Sequence, residues 1–149
     1  MAWIALASAG VLLAALVVCL VLLVRARRQA DDRLWGTWQS DADRTIAGIR
    51  ERRPVDEKQE AALRRLFGKL KITYTATTLT TELNGVTESN PYEVLGRDQH
   101  SVVIRELGPK PQGLEDLSEF TVIYFEGPDV YWLHTQLGGV REYFKRIGP

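Results

Sequence analysis

Thr78–Ser89 reads TLTTELNGVTES, two β-prone runs on either side of Asn84-Gly85. Asn-Gly accepts the positive φ angles of a tight two-residue turn, and the twist of that turn matches a pair of flanking strands. The stretch therefore predicts a β-hairpin, with strands over Thr78–Leu83 and Val86–Ser89. Just upstream, KITYT at Lys71–Thr75 alternates, with Ile72 and Tyr74 on one side and Thr73 and Thr75 on the other. Downstream, Pro91 marks an edge or a bulge. Further strands are expected at Tyr92–Leu95, Ser101–Leu107, Glu119–Glu126, Val130–Thr135 and Val140–Ile147. The breaks between them are GRDQ, GPKPQGLEDLS, GPD and QLGG, too short to carry helices. Such spacing predicts an antiparallel meander, and a meander this long closes or nearly closes, which removes exposed edges.

Ahead of the meander, Leu34–Ser40 (LWGTWQS) suits a short strand with a close backbone approach at Gly36. Two helices should follow, at about 42–52 and 56–67. Ser40, Asp41 or Asp43 can cap the first, and Pro54 ends it, because the residue before proline avoids helical geometry. In the second, Asp56, Glu57 and Glu60 lie early and Arg64 and Arg65 late, an order that complements the helix dipole. Leu63, Leu66, Phe67 and Leu70 fall at helical spacing and predict one buried face.

Ile4–Val24 (IALASAGVLLAALVVCLVLLV) contains no charge and no proline. As a helix it would be about 31 Å long, enough to cross a hydrocarbon core. Residues 1–24 are therefore expected to form a transmembrane anchor, and residues 25–33 a charged linker. The small residues lie at the start of the apolar run and LVRARR at its end, the reverse of what signal cleavage needs. Val17 and Val18 precede Cys19 where a lipidation site wants small residues, so Cys19 is read as an apolar helix residue. Arg25, Arg27, Arg28 and Arg33 flank only the C-terminal end of the run. The positive-inside rule then places that end, and the domain after it, in the cytoplasm. The preference for Arg over Lys fits a GC-rich bacterial genome, which makes the expected site the bacterial inner membrane.

The formal net charge of zero conceals a gradient. Arg25–Lys71 holds 13 basic against 8 acidic residues, and Ile72–Pro149 holds 6 against 11. Basic charge beside a bilayer is drawn to anionic lipid, whereas interleaved acids suit solvated helix faces. The acidic β part argues against a nucleic-acid partner.

The short Gly-x-Trp element, Gly36, Thr37 and Trp38, followed by an up-and-down meander, resembles the lipocalin and wider calycin pattern. That resemblance implies a tryptophan at the closed end of a barrel with an arginine of the last strand packed across it. Arg146 in YFKRI matches, with Arg141 as a rival. A guanidinium over an indole gains cation–π energy while plugging the barrel end. The chain departs from the pattern in placing two helices where lipocalins run directly into the next strand.

No nucleophile elbow, P-loop, dinucleotide fingerprint or His-rich metal spacing is present, so no cofactor is expected. Trp132 and His134 share a strand face; one reading puts them in a barrel pocket, the plainer one leaves His134 half-exposed. Glu115 and Asp116 lie in a Gly/Pro-rich loop and read as solvated. The expected function is a non-enzymatic, membrane-tethered module. It would bind a small apolar ligand or, in preference, a protein partner, with the loop Gly108–Ser118 as a contact surface. The alternatives are an accessory subunit assembled through Ala7, Gly10 and Ala14 of its membrane helix, and an enzyme using His134, Arg105 and Glu106.

Overall fold

A computed structural model describes residues 16–21, 30–109, 120–135 and 139–149. The chain divides into two units, residues 1–30 and Asp31–Pro149. In the first, residues 16–21 are helical. The rest of the expected anchor, with Arg25, Arg27 and Arg28, lies outside the described residues. Among the described residues no helix is long and apolar enough to cross a membrane.

The second unit is a closed barrel of eight antiparallel strands in which each strand pairs with the next and the last returns to the first. β1 is Gly36–Ser40; α1 (Ala42–Arg50) and α2 (Glu57–Leu66) follow; then come β2 (Lys71–Tyr74), β3 (Thr78–Leu83), β4 (Val86–Arg97), β5 (Ser101–Glu106), β6 (Thr121–Phe125), β7 (Val130–His134) and β8 (Arg141–Gly148). Two helices therefore do interrupt the step from β1 to β2.

The Asn84-Gly85 turn forms as expected, with φ of 52° and 83°, and Leu83 opposite Val86. Pro91 does not break the chain. β4 runs through it for 12 residues, pairing with β3 up to Pro91 and with β5 from Tyr92 onward. The proline sits at this change of partner, where its missing N–H removes little from either ladder. A bulge between Val94 and Gly96 then shifts the register and leaves Leu95 exposed.

Asp41 caps α1 by accepting from Arg44 N, and α2 opens with a reciprocal capping box between Asp56 and Gln59. The buried face expected on α2 is not formed. None of its residues is buried, and Leu66 is 68% exposed. The helix is held instead by ions: Arg64 pairs with Asp43, and Glu60 with Arg50 and Arg64. Only Leu70, past the helix end, packs on the barrel core.

The interior is aromatic. Tyr131 stacks on Phe144 with centroids 4.9 Å apart and leans on Trp38 at 4.6 Å, all three nearly or fully excluded from solvent. Tyr74 meets Tyr92 edge-on, and Leu34, Ile72, Leu79, Val102, Ile104 and Ile123 complete the core. Such pairs add about 1 kcal/mol each beyond their buried area. An eight-stranded barrel is just wide enough for side chains to fill, and these rings are part of that filling.

Gly36 tests the closure. Its φ is +114°, and a Cβ there would lie 2.7 Å from Gly148 O and 2.8 Å from Arg146 Nη1. At Gly85, φ is +83° but nothing lies within 4 Å of a Cβ. Gly36→Ala should cost about 3 kcal/mol in chemical denaturation and Gly85→Ala only about 1 kcal/mol, the backbone term alone. Equal losses would show that the close approach at Gly36 carries no weight.

Candidate functional site

One barrel end is sealed by arginine. Arg146 on β8 places its guanidinium carbon 4.2 Å from the Trp38 ring centroid. Its nitrogens donate to Asp129 Oδ1 at 3.1 Å, to Arg33 O and Pro128 O at 3.0 Å each, and to Trp35 O. The Trp38 indole N–H in turn donates to Leu34 O at 2.7 Å. Each of these carbonyls would otherwise need water at a crowded place. The rival Arg141 stacks elsewhere, on the Trp132 ring at 4.4 Å.

A second arginine joins the seal. Arg33 grips buried Asp31 through Nε and Nη2, reaches Gln99 O and Ser101 O, and lies 4.7 Å from the Phe125 centroid. Burial opposes ionisation of Asp31, but the hydrogen bonds and charge of Arg33 outweigh it and hold the carboxyl below its usual range. Arg33, one of the arginines that follow the apolar run in sequence, is held at the barrel end by this pairing. A cleft of about 380 Å³ opens beside Arg33, His100, Phe125, Pro128 and Arg146. Both guanidinium groups in it are already committed to protein oxygens, so it offers little free positive charge.

Of the two readings of Trp132 and His134, the structure shows the plainer one, with neither side chain in the barrel interior. Pairing of Tyr131 with Phe144, and of Ile123 with Leu133, turns Tyr131 and Leu133 inward and their neighbours outward. Trp132 lies flat on Tyr124 at 4.1 Å on the outer face, and exposed His134 meets Gly139 O at 3.2 Å through Nδ1. The alternation was legible, but its phase was not. The enzyme candidates do not converge either: Arg105 pairs with Glu93, while Glu106 stands opposite Tyr92. Among the described residues no cluster of His, Cys, Asp and Glu could hold a metal. Glu115 and Asp116, and nearly all of the loop Gly108–Ser118, lie outside the described residues.

Polar groups missed in the sequence meet inside the barrel. Glu142 on β8 is buried and accepts from Ser40 Oγ at 2.6 Å, and Ser40 Oγ accepts from Gly68 N at 2.9 Å. The Tyr131 hydroxyl is fully buried with no hydrogen-bond partner. Burial pushes the Tyr131 phenol well above its usual range, and the neighbouring Tyr74 phenol and, to a smaller extent, Glu142 add to the effect. It also pushes the Glu142 carboxyl up, against the pull of the Ser40 hydroxyl. A serine and a glutamate at alternating strand positions carry no signal of this in isolation.

At the end of the barrel away from Arg146, apolar side chains face solvent. Leu83 and Val86 at the hairpin tip are 43% and 63% exposed, and Leu107 and Phe120, which follow β5 and precede β6, are 54% and 50% exposed. Comparison with protein-family models and with curated protein sequences finds no match to this chain.

The raised Glu142 carboxyl makes stability depend on pH. Because the folded state binds this proton more tightly than the unfolded state, the Glu142 contribution is complete below the ordinary carboxylate range. It is lost as pH rises from there through the raised value. Glu142→Gln keeps an acceptor for Ser40 and removes the charge. Its melting temperature should equal that of the unsubstituted protein near about pH 4 and exceed it increasingly toward neutrality. A constant difference across that range would show that Glu142 is not held against ionisation.

Proposed function

We propose that this chain is a non-enzymatic, membrane-tethered module of lipocalin-like build that presents the end of its barrel to a protein partner. The observation that carries this reading is the group of apolar side chains exposed around the hairpin tip and the β5–β6 connection at the barrel end away from Arg146; at the sealed end the exposed Trp35 and Ile147 flank the arginine seal. Beside the sealed end the interior is taken up by Trp38, Tyr131 and Phe144, which leaves little room there for a ligand. The other end displays Leu83, Val86, Leu107 and Phe120 to solvent. Isolated exposed apolar side chains are ordinary, but several gathered at one end of a small domain suit an interaction surface. The lipocalin-like reading rests on the closed meander and on Arg146 across Trp38; it adds no substrate. The anchor reading rests on the uncharged run Ile4–Val24, with the C-terminal domain on the cytoplasmic side.

Site-specific photocrosslinking in native cells tests it. A photoreactive residue at Val86 should yield a discrete cross-linked protein, and one at exposed Ala76, in the turn at the sealed end, should not. Leu83→Glu should abolish the Val86 product without lowering the melting temperature. Equal products from both ends, or none from Val86, would refute the reading.

A further inference from the structure

The second cleft of the barrel unit lies between α1 and β8 and encloses about 290 Å³. Ile49, Val140 and Tyr143 supply apolar and aromatic walls, and Arg52, Arg53 and Arg141 line it together with Glu51. Most other described arginines are ion-paired. Arg33, Arg44, Arg50, Arg64, Arg105 and Arg146 each hold a carboxylate. Arg52 and Arg53 are exposed and their guanidinium groups have no ion pair among the described residues. Arg141 has only the Trp132 ring beneath it. Three guanidinium groups and one carboxylate leave the cleft with a net charge near that needed to balance a doubly charged anion.

Gly48 is the second, independent observation. It lies inside α1, where glycine costs about 0.5–1 kcal/mol of helix stability relative to alanine. Packing does not demand it: a Cβ would sit 3.6 Å from Tyr143 Cε2, an ordinary contact, and φ is not positive. Its visible effect is to leave the helix wall of this cleft without a side chain. A local rule broken beside a cleft, with no structural gain, marks a place shaped for something other than stability.

The geometry points to a binding site for a phosphate monoester in the α1–β8 cleft, held by Arg52, Arg53 and Arg141 over the walls of Ile49 and Tyr143. Planar guanidinium forks match the oxygens of a phosphoryl group, and such charge-assisted hydrogen bonds are about twice as strong as neutral ones. A monoester near neutrality carries close to two negative charges. The walls of Ile49 and Tyr143 then accept the carbon skeleton of the ester. A soluble phosphorylated metabolite and a phosphomonoester lipid headgroup share this chemistry.

Two titrations separate those sources. The full chain in neutral detergent is titrated with glycerol 3-phosphate in one arm and with short-chain phosphatidic acid in the other. Fluorescence of Trp132, which lies under Arg141, reports binding. Saturable binding in the first arm alone assigns a soluble ligand; saturation in the second alone assigns a lipid headgroup; saturation in both assigns the phosphoryl group as the whole determinant. Arg53→Gln should weaken whichever probe binds by about tenfold, the loss of one charge-assisted contact. Gly48→Leu should weaken it at least as much with no change of charge, and melting curves verify that both variants fold. The proposal fails if neither probe saturates, or if binding is indifferent to both substitutions.

Discussion

The structure depends on one guanidinium. Arg146 lies against the Trp38 ring and donates to carbonyls of Arg33, Trp35 and Pro128 and to the Asp129 carboxylate. It thereby joins the last strand to the segment before β1 and to the turn between β6 and β7. A meander closes only if its first and last strands meet, and this contact sits at that seam. The close approach also explains Gly36, which has no room for a Cβ between Gly148 O and Arg146. Arg33 extends the same seal by tying buried Asp31 to the turn between β4 and β5.

Sealing one end gives the barrel a direction. Beside the seal the interior is packed with Trp38, Tyr131 and Phe144. Further in, the lining turns polar at Ser40 and Glu142, with the Tyr131 hydroxyl left without a partner. Such groups are costly to bury, but the Ser40–Glu142 hydrogen bond also ties the first strand to the last. At the far end, Leu83 and Val86 extend on a hairpin whose tip is exposed on both faces. Stability is thus concentrated at the seam, and the surface available to a partner lies away from it. The arginine cleft lies between α1 and the start of β8, at Val140 and Arg141.

Much of the fold was legible because its signals are local. Asn84-Gly85 needs only its own backbone to make a turn, and Ile72 and Tyr74 need only alternation to mark a buried face. Arg146 and Trp38 were legible through a resemblance, since nothing local connects residues so far apart in sequence. What escaped depends on partners. Pro91 is tolerated because β4 changes neighbours there, a fact about β3 and β5. Trp132 and His134 alternate like Tyr131 and Leu133, and only pairing with β6 and β8 decides which set faces in. The helical spacing of Leu63 and Leu66 promised a buried face, but ion pairs hold α2 and leave Leu66 in water. Arg33, read with Arg25, Arg27 and Arg28 as flanking the apolar run, is held by Asp31, Gln99 and Ser101.

The central physical claim is that the planar fork of Arg146 closes the barrel, and charge alone does not. Chemical denaturation of Arg146→Lys beside Arg146→Ala measures this directly. Lysine keeps the charge but cannot serve divergent carbonyls while lying flat on the indole. The account predicts that both variants lose about 3 kcal/mol, the loss of several hydrogen bonds to a charged group together with the indole contact. Retention of near-native stability by Arg146→Lys would contradict it.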